Sequence, residues 1–287
     1  MHNINMLYLF QPIIVIVISS ALLLYWYRKR RFSWMVLVFS LAAYAGAIAL
    51  KYAMQIPTID YVINSGPVAL GAYYGIQTMI FEVGLAFLIA WIALRYNVLS
   101  RKDCEGYASG LAFWENAGLL GFLSIINLCA LYSLLSSDTL VAQQLYEQLT
   151  ASSPELFASN SEVLGVVAIS VFERISSAIL HFAWGYLCFM AAYHHKSRLF
   201  LIALPMGLID FLVPFAGNSL RSLIIFELVI FVFAVLSLLV AWRVTKNLRN
   251  QQTANTETPL TANTPTSPTT INNKTDTVNT TTDISNL

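Results

Sequence analysis

Charge is what this sequence has least of. Only 11% of its 287 residues are Asp, Glu, Lys or Arg, while 57% are hydrophobic. Ordinary soluble domains carry about 25% charged residues, so this chain cannot cover a water-facing surface and must be read as a polytopic membrane protein. A basic excess is missing too. The net charge of +1 gives no electrostatic footprint for nucleic acid, and none is expected as a partner. Cysteine is scarce and scattered. Cys104, Cys129 and Cys188 form no CxxC and no Cys/His ligand spacing, which argues against a disulfide framework or a zinc site. No basic segment precedes the first apolar run and no small-residue cleavage site follows it, so that run is expected to be a retained span. Internal repeats, which a transporter would be expected to show, are not evident. The last apolar run lacks lysine, which argues against a seven-helix retinal protein held by a Schiff base.

Long apolar runs are what the chain does have. Seven are expected to span a bilayer, over residues 7–27, 34–54, 69–94, 107–135, 163–193, 199–215 and 223–242. Basic clusters alternate with them: Arg28 to Arg31, then Arg95, Arg101 and Lys102, then His194 to Arg198, then Arg243, Lys246 and Arg249. The loop from Ser136 to Glu162 has no Lys or Arg but several acids, and is long enough for a short surface helix. One topology puts every basic cluster on the cytoplasmic side, with the N-terminus out and the C-terminus in. The fold class is therefore all-α, a seven-helix membrane domain over residues 1–250. Pro205 and Pro214 are expected to kink or break span six. Residues 251–287, rich in Thr, Asn and Pro, cannot bury a core and read as a disordered cytoplasmic tail. The sequon-like Asn273 and Asn279 in that tail read as chance matches.

Ionisable residues inside the spans are the informative exception. Placing one charge at mid-membrane costs roughly 2.5–3.5 kcal/mol on insertion scales, so such residues mark a function or a polar lock between helices. Span five carries three of them within ten positions: Glu173, Arg174 and His181. Seven residues apart, Arg174 and His181 share a helix face; Glu173 is rotated about 100° from Arg174. Glu82, Glu115 and Asp210 lie in three other spans. At about 1.5 Å of rise per residue, Glu82 is roughly 18 Å deep and Glu115, Glu173 and Asp210 about 15 Å. In a hydrocarbon core about 30 Å thick, all four acids fall near the midplane. Glu227 sits higher in span seven, and His181 lies nearer the cytoplasmic side. Such a carboxylate layer needs protons, a metal or Arg174 to balance it, and with one histidine it can activate a water. The pairs Gly71/Gly75 and Gly106/Gly110 beside two of the acids read as close helix packing.

Three motifs resemble those of the YhfC-type intramembrane metalloproteases. They are Phe81-Glu82, Gly110 five residues ahead of Glu115, and Glu173-Arg174 followed seven residues on by His181. That family is similar to the PrsW and CPBP CAAX-protease proteins and to the Aph subunit of γ-secretase. The resemblance covers about residues 51–215. It implies a helical intramembrane protease acting on a membrane-embedded peptide, with Glu82 and Glu115 as acid/base groups. His181 and Asp210 would be orienting groups, and Arg174 a counter-charge beside Glu173. A divalent metal, if one binds, would be held by Glu82, Glu115 and His181; no cofactor is required. The sequence departs from the pattern at Val83, Ser109 and Met206, where relatives tend to carry a second Glu and two histidines. Two rival readings stay open: a catalytically inactive relative acting as a membrane scaffold, and a proton-coupled transporter. The expected location is integral to the plasma membrane.

Overall fold

The computed structural model of the chain describes residues 4–137, 139–216 and 220–257. Seven helical spans cross the bundle: Met6–Arg30, Met35–Asn64, Pro67–Arg95, Arg101–Leu135, Asn160–His194, Ser197–Phe215 and Arg221–Leu248. Most are longer than the apolar runs suggest. Span two continues past Met54 to Asn64 with Pro57 inside it, rather than leaving for a loop. The hydroxyl of Thr58 donates to the Met54 carbonyl at 2.6 Å, one of the ways a membrane helix repairs the backbone around a proline. The loop between spans four and five folds into α7, Leu140–Ser152, and a 3-10 turn, Pro154–Phe157. The amino end of span one docks on that connection through Asn5, whose side-chain amide donates to the Ala158 carbonyl at 3.1 Å. These two segments therefore share one face of the bundle. On the other face Arg30 pairs with Glu105 at 2.5 Å, and Asp103 accepts the Ser33 amide at 2.7 Å.

The chain divides into a compact unit, Met1–Arg249, and a second, Asn250–Leu287. The last helix, α10, runs from Leu220 to Glu257. Residues 251–257 are thus helical where the composition suggested disorder, and the rest of the expected tail, 258–287, lies outside the described residues.

The bundle is organised around spans four and five. The helix α8, Asn160–His194, is buried on every face from Ala183 to Ala192, and α5, Cys104–Phe113, from Cys104 to Ala112. A helix apolar all round belongs in a core, and these two segments pack on each other, with Gly185 against Ala108 and Leu111. Below that shared core the backbone loses its α-helical regularity. Span three has a π-helical turn at Thr78–Val83, and span four one at Trp114–Gly121. Span six stops being α-helical at Ala203 and continues as a 3-10 helix over Leu204–Phe215, with Pro205 in its first turn. Irregular backbone at membrane depth persists only where it is buried in protein or lines a cavity, and π-turns recur at functional sites.

Small residues bring spans three and six together. A Cβ on Gly71 would run into the Phe211 carbonyl, and one on Gly207 would come within 2.8 Å of the Met79 backbone. Gly71→Ala should therefore destabilise the bundle by about 1–3 kcal/mol, as overpacking does, read as a lower unfolding temperature in detergent. Gly84→Ala is the control. Nothing lies within 4 Å of its added methyl, so it should be neutral or slightly stabilising.

Candidate active site

A cavity of about 340 Å³ opens between spans three to seven, and Glu82, Glu115, Glu173, Arg174, His181 and Asp210 all line it. Its size would hold several waters or one stretch of extended peptide. The irregular turns aim the acids. Glu82 sits in the π-turn of span three, Glu115 in that of span four, and Asp210 on the 3-10 segment of span six.

His181 is the centre of the arrangement. It is buried, with its ring centroid 4.1 Å from that of the buried Trp184. Its Nε2 lies 3.0 Å from Glu82 Oε2, and its Nδ1 lies 2.6 Å from Glu115 Oε2 and 3.0 Å from the Ser177 carbonyl. A carbonyl only accepts, so Nδ1 carries a proton by assignment from the network. One more proton lies between Nε2 and the Glu82 carboxylate, because two bare acceptors would repel. The sequence placed His181 nearer the cytoplasmic end. Both glutamates, each on the π-turn of its own span, nevertheless contact its ring.

Two further cations complete the site. Arg174 folds back onto Glu173, its chain neighbour, and reaches Glu115 Oε1 at 3.5 Å. Lys51, from span two, pairs with Glu82 Oε1, donates to Thr78 Oγ at 2.6 Å and lies 3.5 Å from Asp210 Oδ2. The Thr78 hydroxyl in turn donates to Asp210. Sequence reasoning missed Lys51, Thr78 and Ser177, whose hydroxyl donates to Glu115 Oε2 at 2.9 Å. For Lys51 a signal existed. Lys51 and Arg174 are the only Lys or Arg within the seven apolar runs as first delimited, yet the midplane reckoning counted acids alone. Glu227 of span seven lines the same cavity and is buried, and its Oε2 has no hydrogen-bond partner among the described residues.

A catalytic metal does not fit this donor set. His181 is the one imidazole at the cavity among the described residues, and both its nitrogens already face oxygen acceptors. Glu82 has an ammonium on one oxygen and the imidazole on the other. Among the described residues no three His, Cys, Asp or Glu side chains are placed to hold an ion together. The Ser109 hydroxyl donates to the Glu105 and Gly106 carbonyls of its own helix.

The family model described as "YhfC intramembrane metalloprotease" matches residues 13–233. No curated protein and no solved structure matches the chain. The matched stretch takes in every residue that lines the cavity, and the chain belongs to the YhfC intramembrane metalloprotease family.

Proposed function

We propose that this member of the family hydrolyses a membrane-embedded peptide with a water activated by glutamate, without a metal. The observation that carries the reading is that glutamates from two different spans flank one histidine at the wall of a cavity within the membrane span. Glu115 is the general base. Among the described residues its Oε1 pairs with Arg174 alone, at 3.5 Å, which leaves that oxygen open to a water. Both oxygens of Glu82 are held, so Glu82 serves to fix and charge the imidazole. As the water oxygen bonds to the scissile carbonyl carbon, Glu115 takes one of its protons. Arg174 faces the oxyanion that forms. The proton then passes to the amide nitrogen, through His181 or directly, as the C–N bond breaks to leave a carboxylic acid and an amine. Asp210 and Thr78 hold Lys51 against Glu82 and set the electrostatic frame.

The same reading puts the face with the basic clusters in the cytoplasm, the N-terminus outside, and the chain in the plasma membrane. The test is incubation of the purified protein with membrane-peptide libraries, reading cleavage by mass spectrometry. Cleavage should persist in EDTA or 1,10-phenanthroline. Activity lost to a chelator and restored by zinc contradicts the metal-free assignment. A second reading has one observation in its favour. The string Asp210, Thr78, Lys51, Glu82, His181, Glu115 and Arg174 is continuous by hydrogen bonds and ion pairs, and such strings also relay protons. A protein that cleaves nothing but acidifies the lumen of proteoliposomes would support that alternative.

A further inference from the structure

A second cavity, about 820 Å³, lies at the C-terminal ends of spans three and five, away from the acids. Its walls come from the end of span three, the connection to span four and the end of span five. Four of its side chains are Arg95, Arg101, Lys102 and His195; Trp91 and Leu94 form an apolar wall beside them. The backbone that displays these cations is fixed. Asn97 and His195 adopt the left-handed conformation, at φ 55° and 52°, and both close helix ends. The Val98 and Leu99 amides return to the Ala93 carbonyl at 2.9 and 3.2 Å, and the Lys196 amide returns to the Ala191 carbonyl at 3.0 Å.

The nearest acid does not neutralise this cavity. Asp103 is buried, and its two carboxylate oxygens accept from Ser100 and from the Ser33 amide. Among the described residues, Arg95, Arg101 and Lys102 pair with no carboxylate; Arg95 instead lies over the Trp91 ring at 5.0 Å. Unpaired cations around a cavity, with an aromatic and aliphatic wall on the membrane side, match a ligand that is anionic at one end and apolar at the other. We propose that this cavity binds the headgroup of an anionic phospholipid. The phosphate lies among Arg101, Lys102 and Arg95, and the first acyl carbons lie against Trp91 and Leu94. The site does not depend on the proteolytic reading, since none of its residues lines the acidic cavity.

Native mass spectrometry of the full chain in detergent tests it, with dioleoyl phosphatidylglycerol, dioleoyl phosphatidylcholine or inorganic phosphate added in parallel. One phosphatidylglycerol should be retained per chain, with phosphatidylcholine bound at least tenfold more weakly and inorganic phosphate failing to displace the lipid. The double variant Arg101→Gln/Lys102→Gln should weaken phosphatidylglycerol binding on the order of tenfold or more, from the loss of two charge contacts. Its side chains are exposed, so its lipid-free unfolding temperature should match the wild type. Arg95→Gln, on the other side of the cavity, gives an independent loss. Equal retention of both lipids, unchanged binding in the variants, or displacement by inorganic phosphate overturns the proposal.

Discussion

Glu115→Gln should reduce peptide hydrolysis by about three orders of magnitude, within the range that a positioned general base contributes, and leave the bundle folded. Glutamine matches the shape of glutamate. Its carbonyl oxygen can still accept from Ser177 and from His181 Nδ1, the two contacts that Glu115 Oε2 makes. What is lost is an oxygen that can take a proton from water, together with the charge facing Arg174 at 3.5 Å. Arg174 keeps Glu173 as a partner, so the unfolding temperature should move by only a few degrees. Cleavage by wild type alone, at matched stability, is the expected result. Activity undiminished in the variant would assign the base elsewhere. No cleavage by either protein, with stability lost in the variant, would make the cluster a structural lock.

Lys51→Met should produce the largest loss of stability. Its ammonium is mostly buried and holds Glu82 and Asp210 through one nitrogen. Removing one partner of a buried pair leaves an uncompensated charge and costs about 3–5 kcal/mol. For a domain of this size that corresponds to a fall of roughly 10 °C in unfolding temperature. Lys51→Met combined with Glu82→Gln should recover much of the loss, because the orphaned charge is then removed too. The four proteins form a double-mutant cycle, measured by thermal unfolding in one detergent. A strong positive coupling is expected; additive effects would mean that the two side chains do not meet.

The sequence exposed the spans because burying twenty apolar residues in lipid requires nothing subtler than hydropathy. Their ends were less legible. Asn64 closes span two because Pro57 is accommodated within the helix, and no local pattern distinguishes an accommodated proline from a terminating one. The packing glycines were readable as small residues at helical spacing, and Gly71 and Gly75 do sit against Phe211. The acids near the midplane were readable as costly exceptions. Their meeting with His181 was only half legible. Depths counted from the apparent ends of the apolar runs put His181 below the acids, and the π-turns at Thr78–Val83 and Trp114–Gly121, where Glu82 and Glu115 sit, have no composition signature. Lys51 was passed over because the midplane reckoning counted acids alone. Span two continues for ten residues beyond Met54, which places Lys51 well inside it.

The central claim is that carboxylates from spans three and four contact opposite nitrogens of His181. Solid-state NMR in bilayers, measuring carbon–nitrogen dipolar couplings between labelled glutamate side-chain carboxyl carbons and labelled histidine ring nitrogens, tests it directly. Two close contacts are predicted, one to each nitrogen of a single ring. Glu82→Gln should remove the contact at Nε2, and Glu115→Gln the one at Nδ1. A His181 ring with no glutamate carboxyl near either nitrogen would contradict the account.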